Sequence, residues 1–350
     1  MEETREKINR KTSGKTNGQP RVLPLILAAV LGVFCITPAT ASAEGKAGAM
    51  ESETIKARGG IMAAGDIAAM PNAAEASAAE ASAAAAAPRV AVAVIDSGVD
   101  EDNPLIDYSK IFHAKSYVDG ETSCDDKIGH GTAIVGIIQE YAPDVFIAPL
   151  MYYTAYASGV PRNGGVPAIC KAIYDAVDNY KCKIINISSG IISESDELKT
   201  AIDYAESKGV IVISAVGNDN KTAPGRVFYP AAYDTVIGVG AIDAQKVIAG
   251  FSQRNKSVMT VMYGVDIKVP GIKNGERYTT VSGTSYAAAA LCGIAAGIAE
   301  EYPDITPAQL RNLIKSSSQD LGVPGYDIAY GYGVPDIEAL KVNLRLLTRP

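Results

Sequence analysis

The chain has 350 residues, 47% hydrophobic and 20% charged, which is length enough for one large domain or two small ones with a sizeable core. Its 39 acidic residues outnumber 32 basic ones, and the net charge of −7 argues against nucleic acid or an anionic membrane surface as the main partner. Only two histidines are present, His113 and His130, so any chemistry that needs an imidazole has few candidates.

Residues 1–21 are polar with scattered Lys and Arg, an apolar run follows from Val22 to Phe34, and a small-residue stretch ends at Ala43. That order describes a secretory signal peptide over residues 1–43, with Ala41-Ser42-Ala43 as the cleavage site. An uncleaved anchor is the alternative, but the run is short for a membrane span and contains Pro24. Residues 44–88 shift to Ala, Glu, Ser and Gly and lack aromatic residues, which reads as a disordered linker or a short pro-segment.

From Arg89 the texture changes. The apolar run VAVAVI ends at Ile95, a helical stretch starts near His130, and a second apolar run spans Val145 to Tyr153. AICKAIYDAVDNY is helical, KIINISSG is strand-like, DELKTAIDYAESKG is helical, and VIVISAVGN and TVIGVGAI are further strands. Thr306-Pro307 is a helix start with an N-cap and a proline at the first position, and Asp336 opens a last helix. Short apolar runs alternating with amphipathic helices predict an α/β fold: one domain over 89–350, about 260 residues, with a mainly parallel sheet flanked by helices.

Three motifs lie where such a sheet exposes functional groups. Asp96 follows VAVAVI at the carboxyl edge, His130 opens a helix within GHGT, and Ser285 stands in SGTSYAAAA at the front of a small-residue helix. Serine is a weak nucleophile until a base takes its proton and a carboxylate orients that base. Asn218, in AVGND after a strand, supplies a side-chain amide suited to an oxyanion, together with the backbone N–H of Ser285 and the positive end of its helix. Each residue alone has a plainer reading as a turn residue, a structural histidine or an N-cap. Their complementary roles favour catalysis. His113 belongs to no motif and reads as structural or surface, and Asp125 with Asp126 reads as a solvated loop near His130.

VIDSGVD, GHGTAIVG, AVGND and SGTSYAAA, in that order, resemble the signature segments of the subtilisin-like serine proteases (subtilases), and the similarity extends from about Val90 to Leu340. The resemblance implies a secreted endopeptidase acting on protein or peptide substrates, expected to be a monomer with no membrane partner after signal cleavage and no cofactor needed for catalysis. It makes Asp96 the residue that orients the imidazole, His130 the base and then acid, Ser285 the nucleophile, and Asn218 the oxyanion donor. It places substrate as an added strand on Ser188-Ser189-Gly190, with Gly217 on the opposite wall. Phe228 in FYPAAY matches a position near the base of the primary specificity pocket, which implies a preference for small P1 residues. A non-catalytic relative that only binds peptides is the competing class, and the intact set of four argues against it.

The chain departs from the family in several places. GHGTAIVG stands where HGTHVAG is common, Ala289 replaces a proline, and Tyr286 replaces an oxidation-prone methionine. GIIQEYAP lacks the ligands of the calcium loop many subtilisins carry after the histidine, so that site is expected to be absent. Residues 44–87 are short and low in complexity for a folding-assistant pro-domain. Cys124, Cys170, Cys182 and Cys292 remain after signal cleavage; an even number is compatible with disulfides, although Cys292 sits in a small-residue run suited to a buried thiol. Their spacing fits no zinc site, and no metal ligand is predicted.

Overall fold

The computed structural model describes residues 90–156, 158–271 and 277–347. The signal peptide and linker expected over 1–88 lie outside the described residues. In chain order the elements begin with β1 (Ala91–Asp96), β2 (Lys115–Ser116), α1 (His130–Tyr141) and β3 (Phe146–Met151). A hairpin of β4 (Tyr153–Ala155) and β5 (Pro161–Asn163) leads to α2 (Gly165–Asp178), β6 (Ile184–Ile187), α3 (Asp196–Ser207), β7 (Ile211–Ala215), β8 (Ile237–Ile242) and β9 (Thr260–Tyr263). A second hairpin, β10 (Ile267–Pro270) and β11 (Tyr278–Val281), precedes α4 (Thr284–Glu301), α5 (Pro307–Ser317), the short pair β12 (Ser318–Gln319) and β13 (Val334–Pro335), and α6 (Ile337–Leu347).

The central sheet has seven strands in the order β2-β3-β1-β6-β7-β8-β9, and each neighbouring pair is parallel. Its strands read as unbroken apolar runs because both faces are covered. Along β1, Val92 and Val94 face the core shared with α1 and α4, whereas Ala91, Ala93 and Ile95 face the core shared with α2 and α3. β7 divides in the same way, Ile211, Ile213 and Ala215 to one side and Val212 to the other. The period of two along each strand thus distributes one apolar run between two cores.

Helix α4 passes beneath the sheet as a run of small residues. Ala287, Ala288, Ala289, Ala290, Cys292 and Ala296 are all buried, which allows close approach of the backbone to the strands, and the helix continues unbroken through Ala289. Thr306 caps α5 in a full capping box with Gln309, and Asp336 Oδ1 accepts from Ala339 N at 2.8 Å at the start of α6. Cys124, Cys170, Cys182 and Cys292 are buried free thiols, so the disulfides that their even number allowed are not formed. His113 is exposed at φ 51° and stacks on Tyr180 with ring centroids 4.6 Å apart. Among the described residues no helix is long and apolar enough to cross a membrane.

Candidate active site

β1 ends at Asp96, which is fully buried, and α1 begins at His130, also buried. Two glycines let these ends meet. A Cβ on Gly131 would lie 2.2 Å from Gly98 O, and one on Gly98, at φ 97°, would lie 2.1 Å from Cys124 O. Ser97 Oγ accepts from Gly131 N at 2.8 Å and ties the two elements together. The result is a 2.7 Å contact between His130 Nδ1 and Asp96 Oδ1.

The start of α1 is held by Asp126, and here the solvated loop expected for Asp125 and Asp126 is corrected for the second residue. Asp126 is only 4% exposed. Its Oδ1 accepts from Ile128 N and Gly129 N at 2.9 and 2.8 Å, and its Oδ2 from Thr132 N and Thr132 Oγ1 at 2.9 and 2.8 Å. A carboxylate in this position satisfies amides at the helix N-terminus, which offsets only part of the cost of its burial, and burial holds its pKa above the ordinary carboxylate value. Asp125 remains partly exposed and pairs with Lys127.

Burial alone would lower the pKa of His130. The charge of Asp96, its hydrogen bond and the charge of Asp126 outweigh burial and raise it above the ordinary imidazole value. His130 Nε2 is buried and makes no hydrogen bond.

Ser285 is the second residue of α4 and 4% exposed. At that position its N–H has no intrahelical acceptor and faces outward along the helix axis. Its hydroxyl donates to Ser188 O at 2.9 Å rather than to His130. Ser188 returns the contact through its own hydroxyl, which donates to Ser285 O at 3.1 Å and accepts from buried Asn186 Nδ2 at 2.8 Å. The start of α4 and the segment after β6 are thus locked together by a reciprocal pair.

Asn218 follows β7 and reaches the same place from the other side. Its Oδ1 accepts from both Thr284 N and Thr284 Oγ1 at 2.8 Å, and Thr284 Oγ1 in turn accepts from Gly217 N at 3.2 Å. With the oxygen fixed by two donors, the amide orientation is determined and Nδ2 lies beside Gly283, 3.4 Å from where a Cβ would stand. A narrow cleft is lined by Ser285, Asn218, Thr284, Ser188, Ser189 and Gly190, with Gly217, Ala215, Tyr152 and Tyr153 completing it.

Phe228 closes the space between the two walls of that cleft. It is 3% exposed, and its ring lies 2.4 Å from where a Gly217 Cβ would stand, while its own Cβ is 3.3 Å from a Gly190 Cβ. An antiparallel bridge between Ile191 and Tyr229, with amide contacts of 2.8 and 2.9 Å, fastens this floor to the Ser188–Gly190 wall. All nine residues singled out in the sequence are therefore brought to one edge of the sheet.

Sequence reasoning missed four others. Asp126, Asn186 and Thr284 support site residues, and Tyr153 OH donates to Asp96 Oδ1 at 2.9 Å and lies 3.1 Å from His130 Nδ1. The stretch GIIQEYAP after His130 forms the second half of α1 and the residues that follow it, and Gln139 there uses both ends of its amide on the Asp107 backbone, at 3.0 and 2.9 Å.

The subtilase family matches residues 88–333. Subtilisin DY of Bacillus licheniformis is 32% identical over 260 residues, covering 71% of this chain and 90% of that protein. Subtilisin Savinase of Lederbergia lenta is 32% identical over 259 residues, with the same two coverages of 71% and 90%. Among solved structures, fervidolysin of Fervidobacterium pennivorans, a keratinolytic enzyme related to subtilisin, superposes with a TM-score of 0.64 at 28% identity. It matches 72% of this chain, which spans only 42% of fervidolysin. A lanthipeptide protease superposes with a TM-score of 0.61 at 29% identity, covering 74% of this chain and 88% of that one. The chain belongs to the subtilase family and is a serine endopeptidase.

Proposed function

We propose that this chain is an exported endopeptidase that hydrolyses peptide bonds through Asp96, His130 and Ser285, with Asn218 and the Ser285 N–H as oxyanion donors. The observation that carries the reading is a cleft lined by a hydroxyl at a helix N-terminus and an oriented amide, and also by Tyr153, whose hydroxyl touches both members of the buried Asp96–His130 pair. When substrate enters, the Ser285 hydroxyl leaves the Ser188 carbonyl and donates to His130 Nε2, a contact that tightens only in the loaded enzyme. His130 takes the proton as Ser285 Oγ attacks, and the imidazolium formed is stabilised by Asp96. The negative oxygen of the tetrahedral intermediate faces Asn218 Nδ2 and the helix N-terminus. His130 then returns the proton to the departing amine as the C–N bond breaks, and a water deprotonated by His130 attacks the acyl group left on Ser285, releasing the acid as Ser285 regains its proton.

Base catalysis needs Nε2 unprotonated. Because the pKa of His130 is raised, kcat/KM is expected to fall, as pH drops, through a value above the ordinary 6.5. The substrate lies as an added strand on Ser188-Ser189-Gly190, with its P1 side chain entering the space that Phe228 partly fills. We therefore assign a preference for small P1 residues. We assign no cofactor to catalysis by these residues and no calcium site to the stretch after His130. The signal segment over 1–43 supports export.

The test is a digest of an unfolded protein, with cleavage sites read by mass spectrometry. Cuts predominantly after Ala, Ser or Gly are expected, and a profile dominated by large aromatic P1 residues would refute the specificity assignment.

A further inference from the structure

We propose that Tyr153 is a positioning residue of the site, whose phenol pins the Asp96 carboxylate and fixes which nitrogen of His130 carries the proton. The inference rests on the reading of Asp96 and His130 given above. Asp96 uses one oxygen for everything. Oδ1 accepts from Ser97 N at 2.8 Å, from Tyr153 OH at 2.9 Å and meets His130 Nδ1 at 2.7 Å, whereas Oδ2 is buried with no hydrogen bond. The whole negative charge is therefore stabilised through one atom, and Tyr153 supplies one of its donors.

The second contact of the phenol sets the tautomer. A tyrosine hydroxyl has one hydrogen, and here it points at Asp96 Oδ1, which leaves a lone pair facing His130 Nδ1 at 3.1 Å. Nδ1 then has two acceptors as neighbours and must carry the proton. Nε2 is left as the basic nitrogen, on the side where Ser285 has to be deprotonated. Tyr153 is held for this task by the backbone. Tyr152 N donates to Asp96 O at 3.0 Å, the next residue opens β4, and β4 pairs Tyr153 with Asn163 of β5.

The phenol stays protonated, because burial and then the charge of Asp96 push its pKa well above 10. Other titratable groups facing the pair are Asp126 from the turn before α1, Tyr152 beside β4 and Tyr286 from α4, whose ring centroid is 5.6 Å from that of His130. Both tyrosines are likewise neutral phenols, so only Asp96 and Asp126 act on His130 as charges.

Removing the hydroxyl frees the Asp96 carboxylate to turn away from the productive orientation, which lowers the rate, and leaves its charge with one donor fewer, which raises the pKa of the imidazole. For Tyr153→Phe we expect kcat to fall about tenfold, the size of one hydrogen bond to a charged group, with KM changed less than about twofold. The acid limb of kcat/KM should move up by about half a pH unit. Placing 3-fluorotyrosine at position 153, a stronger donor of nearly the same shape, should move that limb down. A role in packing alone would leave the limb in place. An unchanged limb in both variants overturns the proposal, and the fluorinated variant decides the matter if Tyr153→Phe fails to fold. His130→Ala separates the two readings. If it retains turnover, the triad itself is wrong; if it loses turnover while both Tyr153 variants keep the parent profile, only the present inference fails.

Discussion

Asp96→Asn is expected to lower kcat by roughly three to four orders of magnitude while leaving KM nearly unchanged. The asparagine carbonyl fits the Oδ1 position, where it keeps Ser97 N, Tyr153 OH and His130 Nδ1 as donors. Its amide nitrogen then occupies the Oδ2 position, which has no partner to lose. Geometry and tautomer survive, and what disappears is the negative charge. Two unit charges about 4 Å apart at an effective dielectric near 20 interact by about 4 kcal/mol, and this attraction arises only once His130 becomes imidazolium. A term of that size, present in the transition state and absent from the ground state, appears in kcat and not in KM. The acid limb of kcat/KM should move down in the same variant, because the field that raises the pKa of His130 is gone. Kinetics within about tenfold of the parent would mean that the charge of Asp96 does not act on the reaction.

The second large effect concerns specificity. Phe228→Gly should raise kcat/KM for substrates with Phe or Tyr at P1 by about a hundredfold to a thousandfold, relative to Ala at P1. The Phe228 ring stands against Gly217 and Gly190, the two walls of the cleft, so its removal opens a slot between them. An aromatic P1 side chain buries on the order of 150 Å², which at about 25 cal/mol per Å² is nearly 4 kcal/mol. Loss of a buried phenylalanine costs about 3–5 kcal/mol of stability, so the comparison belongs well below the unfolding temperature, with Phe228→Ala as a milder second variant. An unchanged Phe-to-Ala preference in both would show that Phe228 does not bound the P1 site.

Much of this site was legible in the sequence because the informative residues are local. Strands buried on both faces announce themselves as apolar runs, and α5 announces its start through Thr306, Pro307 and Gln309. Asp96, His130 and Ser285 stand directly at element ends, where the motif and the geometry coincide. The hairpins β4–β5 and β10–β11 were not legible. Pro161 and Asn163 are exposed, as are Lys268 and Tyr278, so neither hairpin carries the alternation that marks a strand.

The supporting residues divide in the same way. Tyr153 reaches Asp96 across 57 positions and Thr284 reaches Asn218 across 66, and no local pattern encodes either contact. Asp126 is different. It lies four residues before His130, with Gly129 and Thr132 inside one turn, and an acidic residue so close to a helix start is a capping signal that outweighs its hydrophilicity. The cysteines mislead for a physical reason too. An even number permits pairing, but all four are buried free thiols, Cys292 inside α4, Cys124 against β3, and Cys170 and Cys182 in the core beside α2 and α3.

If Ser285 is an activated nucleophile, a fluorophosphonate probe will react with it. The purified protein should become covalently labelled at Ser285, whereas Ser285→Ala and His130→Ala, folded by circular dichroism, should not. A folded parent that stays unlabelled, or a Ser285→Ala variant that labels as well as the parent, would contradict the account.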